Sequence, residues 1–142
     1  MGAFAADNLT IKTVILEGPG TNVILKITFS GTHDHLWPHG HEIDAFIKEE
    51  TNAVGPAACL FDFLDYRYEY GNEIGGPIMA ACIDPARQAI RDFAIAATGT
   101  TAIRLKSLFA GSNLEKVFRF GFFDNSEDGL AFLRSLTPAR PR

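Results

Sequence analysis

The chain has 142 residues, 46% of them hydrophobic and 21% charged, so it can bury a core without disulfide bonds or a structural metal. Its net charge of -4 gives a nucleic-acid partner little electrostatic support. No apolar run approaches the ~20 residues that a membrane-spanning helix needs, and MGAFAADNL lacks the basic start and apolar core of a signal peptide. The two cysteines, Cys59 and Cys82, lie in apolar segments, as free thiols in a reducing compartment do. The composition predicts a cytoplasmic protein with no membrane or nucleic-acid partner.

Strand patterns come first along the chain. Thr10 to Leu16 and Val23 to Phe29 are rich in β-branched residues, and Gly18, Pro19 and Gly20 lie between them. Glycine and proline break strands and supply turn geometry. The two runs are therefore predicted to pair as an antiparallel hairpin.

A helix and a buried strand are predicted next. Gly40 to Thr51 places Ile43, Phe46 and Ile47 on one face, which is typical of an amphipathic helix. Ala58 to Leu64 is almost continuously apolar. Because strands covered on both faces have this pattern, we expect a central strand that is parallel to its later neighbours.

Helices and strands then alternate to the end of the chain. Ile74 to Ile83 is predicted to be a helix with Pro77 in its first turn, followed by a strand over Phe93 to Ala97 and a third helix capped by Thr101. The remaining predicted elements are a strand over Val117 to Phe123, a helix over Ser126 to Leu136 and a disordered basic tail over Thr137 to Arg142. The order predicts one α/β domain, residues 1–136, with a mixed sheet, an N-terminal hairpin and crossover helices.

This order resembles the STAS domain, the family of bacterial anti-sigma factor antagonists and of transporter tails. The resemblance covers Thr10 to Leu136 and includes the buried ACLFDFLDY before a Gly-rich helix start and the closing NLEKVFRFGFFDNSEDGLAFLRSL. It implies a non-enzymatic regulatory module that docks another protein, such as an anti-sigma-factor-like kinase or another signalling protein. In antagonists the strand is followed by a segment whose Ser or Thr the partner kinase phosphorylates. Matching that segment to this chain places Asn72 at the phosphorylated position, Tyr70 at the family's aspartate and Glu73 at its glycine.

The chain departs from the family at the phosphorylated position. No Ser or Thr lies between Asn52 and Ala97. Phosphorylation of a Ser or Thr, which would add about -1.5 to -2 charges to a docking surface, is therefore not available in this part of the chain. Asn72 could hold the segment in a permanently docking-competent form, or the partner-switching role of the family could be lost altogether. Alternatively, Gly71 and Asn72 are simply a turn pair, since both tolerate left-handed backbone conformations.

The predicted partner-binding residues lie in the segment that follows the buried strand. Its three tyrosines alternate with charged residues, so an extended loop would present three phenols on one side as anchors for a partner. The alternative is that one or two of them pack over the end of the sheet. The predicted partner-binding residues are Tyr66, Tyr68, Tyr70, Gly71, Asn72, Glu73, Ile74 and Gly75.

All four histidines fall within THDHLWPHGH. His33 with His35 and His39 with His41 form two His-x-His pairs, and alternate residues of an extended segment point the same way. Each pair could supply two imidazoles to Zn, Ni or Cu. The alternative is a solvated loop that is pH-sensitive near the ordinary histidine pKa of ~6.5. The competing function is thus a metal- or small-ligand-binding protein.

Two carboxylates flank the end of the buried strand. Asp62 and Asp65 could perform acid/base chemistry if one were desolvated. Neither has a nucleophile or metal ligand beside it in sequence. We therefore expect them to act as caps and turn residues, and we predict no catalytic residues and no cofactor.

Overall fold

The computed structural model describes residues 2–6, 8–17, 23–33, 40–68, 75–84, 89–110 and 114–136. The described strands are β1 (Ala3–Ala6), β2 (Leu9–Glu17), β3 (Val23–His33), β4 (Ala58–Tyr68), β5 (Ile83–Asp84), β6 (Ala89–Ile90), β7 (Asp92–Ala96) and β8 (Phe120–Phe123). The described helices are α1 (Gly40–Val54), α2 (Gly75–Cys82), α3 (Gly99–Ala110) and α4 (Ser126–Leu136). Among them, none has the length and hydropathy needed to cross a bilayer.

Six strands form one mixed sheet in the order β1-β2-β3-β4-β7-β8. β2 is antiparallel to both β1 and β3, and Ile11 of β2 lies opposite Phe29 of β3. β4 is parallel to both β3 and β7, and β8 is parallel to β7. The predicted hairpin and the predicted central, parallel β4 are therefore confirmed. The small β5-β6 ladder was not predicted, since two-residue strands carry no periodic pattern.

The main core lies between the sheet and helices α1, α2 and α3. The large aliphatic side chains that these helices bury include Ile43 and Ile47 of α1, Ile78 of α2 and Leu105 of α3. On the other face, Leu133 of α4 packs into a smaller buried cluster with Leu60 and Ala94. α4 approaches this face closely because Gly129 has no side chain, and a Cβ there would lie 2.9 Å from Leu60 Cδ1.

β4 is longer than predicted. The predicted strand ended at Leu64, where the apolar run ends. In the structure, Leu64 and Asp65 are exposed and interrupt the buried pattern. A β-bulge explains the interruption: Thr28 of β3 lies opposite Asp62, but Ser30 lies opposite Asp65. β4 thus holds one extra residue and then continues to Tyr68.

Other boundaries also differ from the prediction. β1 was not predicted, and its Phe4 ring packs on Phe46 of α1 with centroids 5.8 Å apart. β8 begins at Phe120 because a short 3-10 helix and a turn precede it, leaving Val117 56% exposed. α3 begins at Gly99, so Thr101 is not its cap. The predicted tail, residues 137–142, lies outside the described residues.

Candidate functional site

Two of the three tyrosines predicted to contact a partner are core residues. Tyr66 and Tyr68 lie in β4 and are only 4% and 2% exposed. The Tyr66 ring contacts Phe29 and Phe63, with centroids 5.6 and 5.4 Å away. The extra residue of the bulge reverses the alternation of faces and turns both tyrosines towards the core. The prediction that they form an exposed docking surface is therefore wrong.

α3 fixes the carboxyl end of β4. Pairing between β7 and β4 ends where Ala96 lies opposite Asp62. Beyond that point, Thr101 Oγ1 donates to the Tyr66 carbonyl at 3.0 Å and accepts from the Tyr68 amide at 3.3 Å. Arg104 Nη1 donates to the Tyr68 carbonyl at 3.1 Å. Thr101, which was predicted to cap α3, thus supports the end of β4 instead. The local sequence does not distinguish a threonine with this role from one that caps a helix.

The start of α2 lies against α1 at Asp44. A Cβ on Gly76 would lie 2.9 and 3.0 Å from the two carboxylate oxygens of Asp44, so the contact depends on glycine. Within the described part of the chain, Asp44 Oδ1 is buried and accepts no hydrogen bond. Burial raises the pKa of Asp44 above its ordinary value, and the nearby charge of His41 offsets only part of this rise. Sequence analysis missed this contact, since nothing local to either residue indicates it.

The predicted docking segment joins the two elements that these contacts hold. It follows Tyr68, the last residue of β4, and ends at Gly75, the first residue of α2. Sites in open α/β sheets lie beyond the carboxyl ends of strands, as this segment does. The remaining predicted residues, Tyr70, Gly71, Asn72, Glu73 and Ile74, lie outside the described residues, and their role stays a prediction.

The histidines are divided between secondary-structure elements. His33 is the last residue of β3, and His41 is exposed in the first turn of α1. The extended geometry predicted for the second His-x-His pair therefore fails at His41, which is helical. His35 and His39 lie outside the described residues. Within the described ranges, no group of three or more His, Cys, Asp or Glu side chains could hold a metal ion, and the Zn or Ni site stays a prediction.

Asp62 makes three contacts in the region of the bulge. Its Oδ1 accepts from the Leu64 amide at 3.0 Å, and its Oδ2 accepts from Ser126 Oγ at 3.2 Å. Lys26 Nζ lies 3.5 Å from Oδ2. Asp65 is exposed on the same face of the sheet. The contacts of Asp62 fit the expected structural role, because they join the bulge to β3 and to the start of α4.

Comparisons with known proteins identify the fold. No family model matches the sequence, and no curated protein matches it. An anti-sigma factor antagonist from Mycobacterium paratuberculosis has a similar structure, with 16% identity, coverage of 87% of this chain and 94% of that one, and a TM-score of 0.55. An uncharacterized protein from Shewanella loihica with a SpoIIAA-like fold is 15% identical to this chain. The match covers 92% of this chain and 98% of that one, with a TM-score of 0.57. The predicted STAS-like fold is confirmed.

Proposed function

We propose that this protein is a non-enzymatic regulatory module that docks another protein through the segment between β4 and α2. The main support is the STAS-like fold, shared with an anti-sigma factor antagonist, together with the position of this segment at the carboxyl end of the central strand. The docking residues are Tyr70, Gly71, Asn72, Glu73, Ile74 and Gly75. The partner is another protein, either an anti-sigma-factor-like kinase or another signalling protein.

The elements on both sides of the segment are held firmly. Before it, Thr101 and Arg104 bind the last backbone groups of β4. After it, buried Ile78 packs α2 into the core, and Gly76 leaves room for the start of α2 beside the Asp44 carboxylate of α1. Anchored ends reduce the conformational entropy that a docking segment loses on binding.

Docking in this proposal is not switched by phosphate. The segment has no Ser or Thr, and neither does the rest of the chain between Asn52 and Ala97. The amide of Asn72 at the family's phosphorylated position keeps the surface free of added charge. Regulation then depends on the concentration of the partner or on a competing protein.

The cysteines support a cytoplasmic location. Cys59 and Cys82 are both free and buried. Burial raises the pKa of the Cys82 thiol, and a hydrogen bond with Cys59 raises it further. Free, buried thiols suit a reducing compartment.

The test places a charge at the proposed contact. The protein is purified from its native cells with its bound partner, and the affinity of that partner is measured by calorimetry. Asn72→Asp should weaken binding by ~1 to 3 kcal/mol through the added charge, with thermal stability nearly unchanged, because turns accept Asp.

Asn52→Asp is the matched control. Asn52 is exposed near the end of α1 and precedes the amino end of β4, whereas the docking segment follows the carboxyl end of that strand. This variant should bind the partner as wild type does. Equal affinity for wild type and Asn72→Asp would show that the segment is not the docking surface.

A further inference from the structure

A groove separates α1 from α2 on the outer side of the helical layer. Its cavity volume is about 400 Å³. The residues that line it include the apolar Ala45, Met79, Ala80 and Ile83 and the charged Asp44 and Lys48. The groove is thus mainly apolar, with its charged groups supplied by α1.

The apolar lining continues beyond the end of α2. Ile83 of β5 pairs with Ile90 of β6, and these side chains are 40% and 42% exposed. Directly opposite residues of an antiparallel pair lie on the same face of a ladder. The two isoleucines therefore extend the groove into a continuous exposed apolar surface, a feature that commonly marks an interaction site.

Asp44 supplies an acceptor at the other end of the groove, beside Gly76. Its Oδ1 is buried and accepts no hydrogen bond from any described residue, Lys48 included, although Lys48 lines the same groove. A carboxylate with a buried oxygen that lacks a donor is unfavourable, and a cation that reaches Asp44 from the groove would relieve that cost by compensating its charge, without bonding to the buried Oδ1.

We propose that this groove binds a protein segment in which a Lys or Arg side chain lies beside apolar residues. The cation donates to Asp44, and the apolar side chains pack along Ala45, Met79 and Ile83. The net charge of -4 also favours a basic partner. This inference goes beyond the proposed function, since the groove lies next to the docking segment and not within it.

Three variants test the acceptor and the groove separately. Asp44→Asn removes the charge and keeps the shape of the side chain. Gly76→Ala keeps the charge but displaces the carboxylate, because its Cβ would lie 2.9 Å from Oδ2, whereas Gly75→Ala is the matched control with nothing within 4 Å of the added Cβ. Ala45→Arg, at an exposed position of α1, places a bulky cation in the groove.

The probe is a phage-displayed library of random peptides, selected on the wild-type protein with Ala45→Arg as the counter-target. We expect the enriched peptides to carry Lys or Arg next to apolar residues. Measured by fluorescence polarisation, their affinity should fall about tenfold for Asp44→Asn and Gly76→Ala. It should be unchanged for Gly75→Ala and for Asn72→Asp, which separates this test from that of the docking segment.

Several outcomes would overturn the proposal. These are enriched peptides that lack a cation, equal binding to Asp44→Asn, or no enrichment over the counter-target. Sedimentation that shows a dimer dissociated by Ala45→Arg would assign the groove to a second copy of this chain instead. Circular dichroism and urea denaturation of each variant establish that any loss of binding is not a loss of folding.

Discussion

Replacing Thr101 with valine tests how the carboxyl end of β4 is supported. The Thr101 side chain is buried and joins α3 to two backbone groups of β4, at 3.0 Å from the Tyr66 carbonyl and 3.3 Å from the Tyr68 amide. Valine keeps the shape and the branching of the side chain but removes both bonds. Removing one side of a buried hydrogen bond costs ~1 to 3 kcal/mol. Because the second bond is long, we expect Thr101→Val to lower the free energy of unfolding by ~2 to 3 kcal/mol.

The assay is urea denaturation followed by circular dichroism, in which a true stability change moves the midpoint and leaves the m-value unchanged. Thr101→Ser is the control, since it keeps the hydroxyl and loses one methyl group, at a cost of ~1 kcal/mol. Hydrogen exchange at the Tyr68 amide should be faster in the valine variant than in the serine variant. A valine variant as stable as the serine variant would refute the claim that these bonds hold the strand end.

Three further predictions concern packing, charge and metal. Gly129→Ala should destabilise the fold by ~1 kcal/mol in thermal unfolding despite the usual helix preference for alanine, because its Cβ would crowd Leu60; an unchanged or higher Tm would contradict this. Burial raises the pKa of Asp44, so the native state binds that proton more tightly than the unfolded state does, and stability is lost as pH rises through the raised pKa. Asp44→Asn should therefore be more stable than wild type at neutral pH, by a difference that shrinks as pH falls towards the unfolded pKa of ~3.9; a difference independent of pH would argue against it. If the histidines form a metal site, equilibrium dialysis should show binding of Zn or Ni that weakens as the imidazoles protonate. Binding should be lost in a double variant that carries His33→Ala and His35→Ala; unchanged binding in that variant would support the alternative of a solvated loop.

The fold was predictable where the pattern of apolar residues is long and regular. The apolar run of β4 indicated a strand covered on both faces, and β4 does lie between two parallel strands. The end of that strand was not predictable, because a bulge adds one residue and shifts the buried positions from odd to even numbers. For the same reason Tyr66 and Tyr68 resembled exposed loop residues although they are buried.

The start of α2 was predictable, but the contacts around it were not. The Gly-rich sequence after the buried strand indicated a helix from Ile74, and α2 begins at Gly75. The contact between Asp44 and Gly76, by contrast, joins residues of two different helices. Only the packing of α1 against α2 creates it, and neither helix has a local pattern that encodes its neighbour.

The claim that the segment between β4 and α2 docks a protein is tested most directly by photo-crosslinking in the native cells. A p-benzoylphenylalanine residue replaces Tyr70 in one variant and, as the control, Val117 in another. Val117 is 56% exposed and precedes the amino end of β8, whereas the docking segment follows the carboxyl end of β4, in the same parallel part of the sheet. We predict a dominant covalent adduct with a second protein from position 70 that position 117 does not give. The absence of an adduct from position 70, or the same adducts from both positions, would contradict this account.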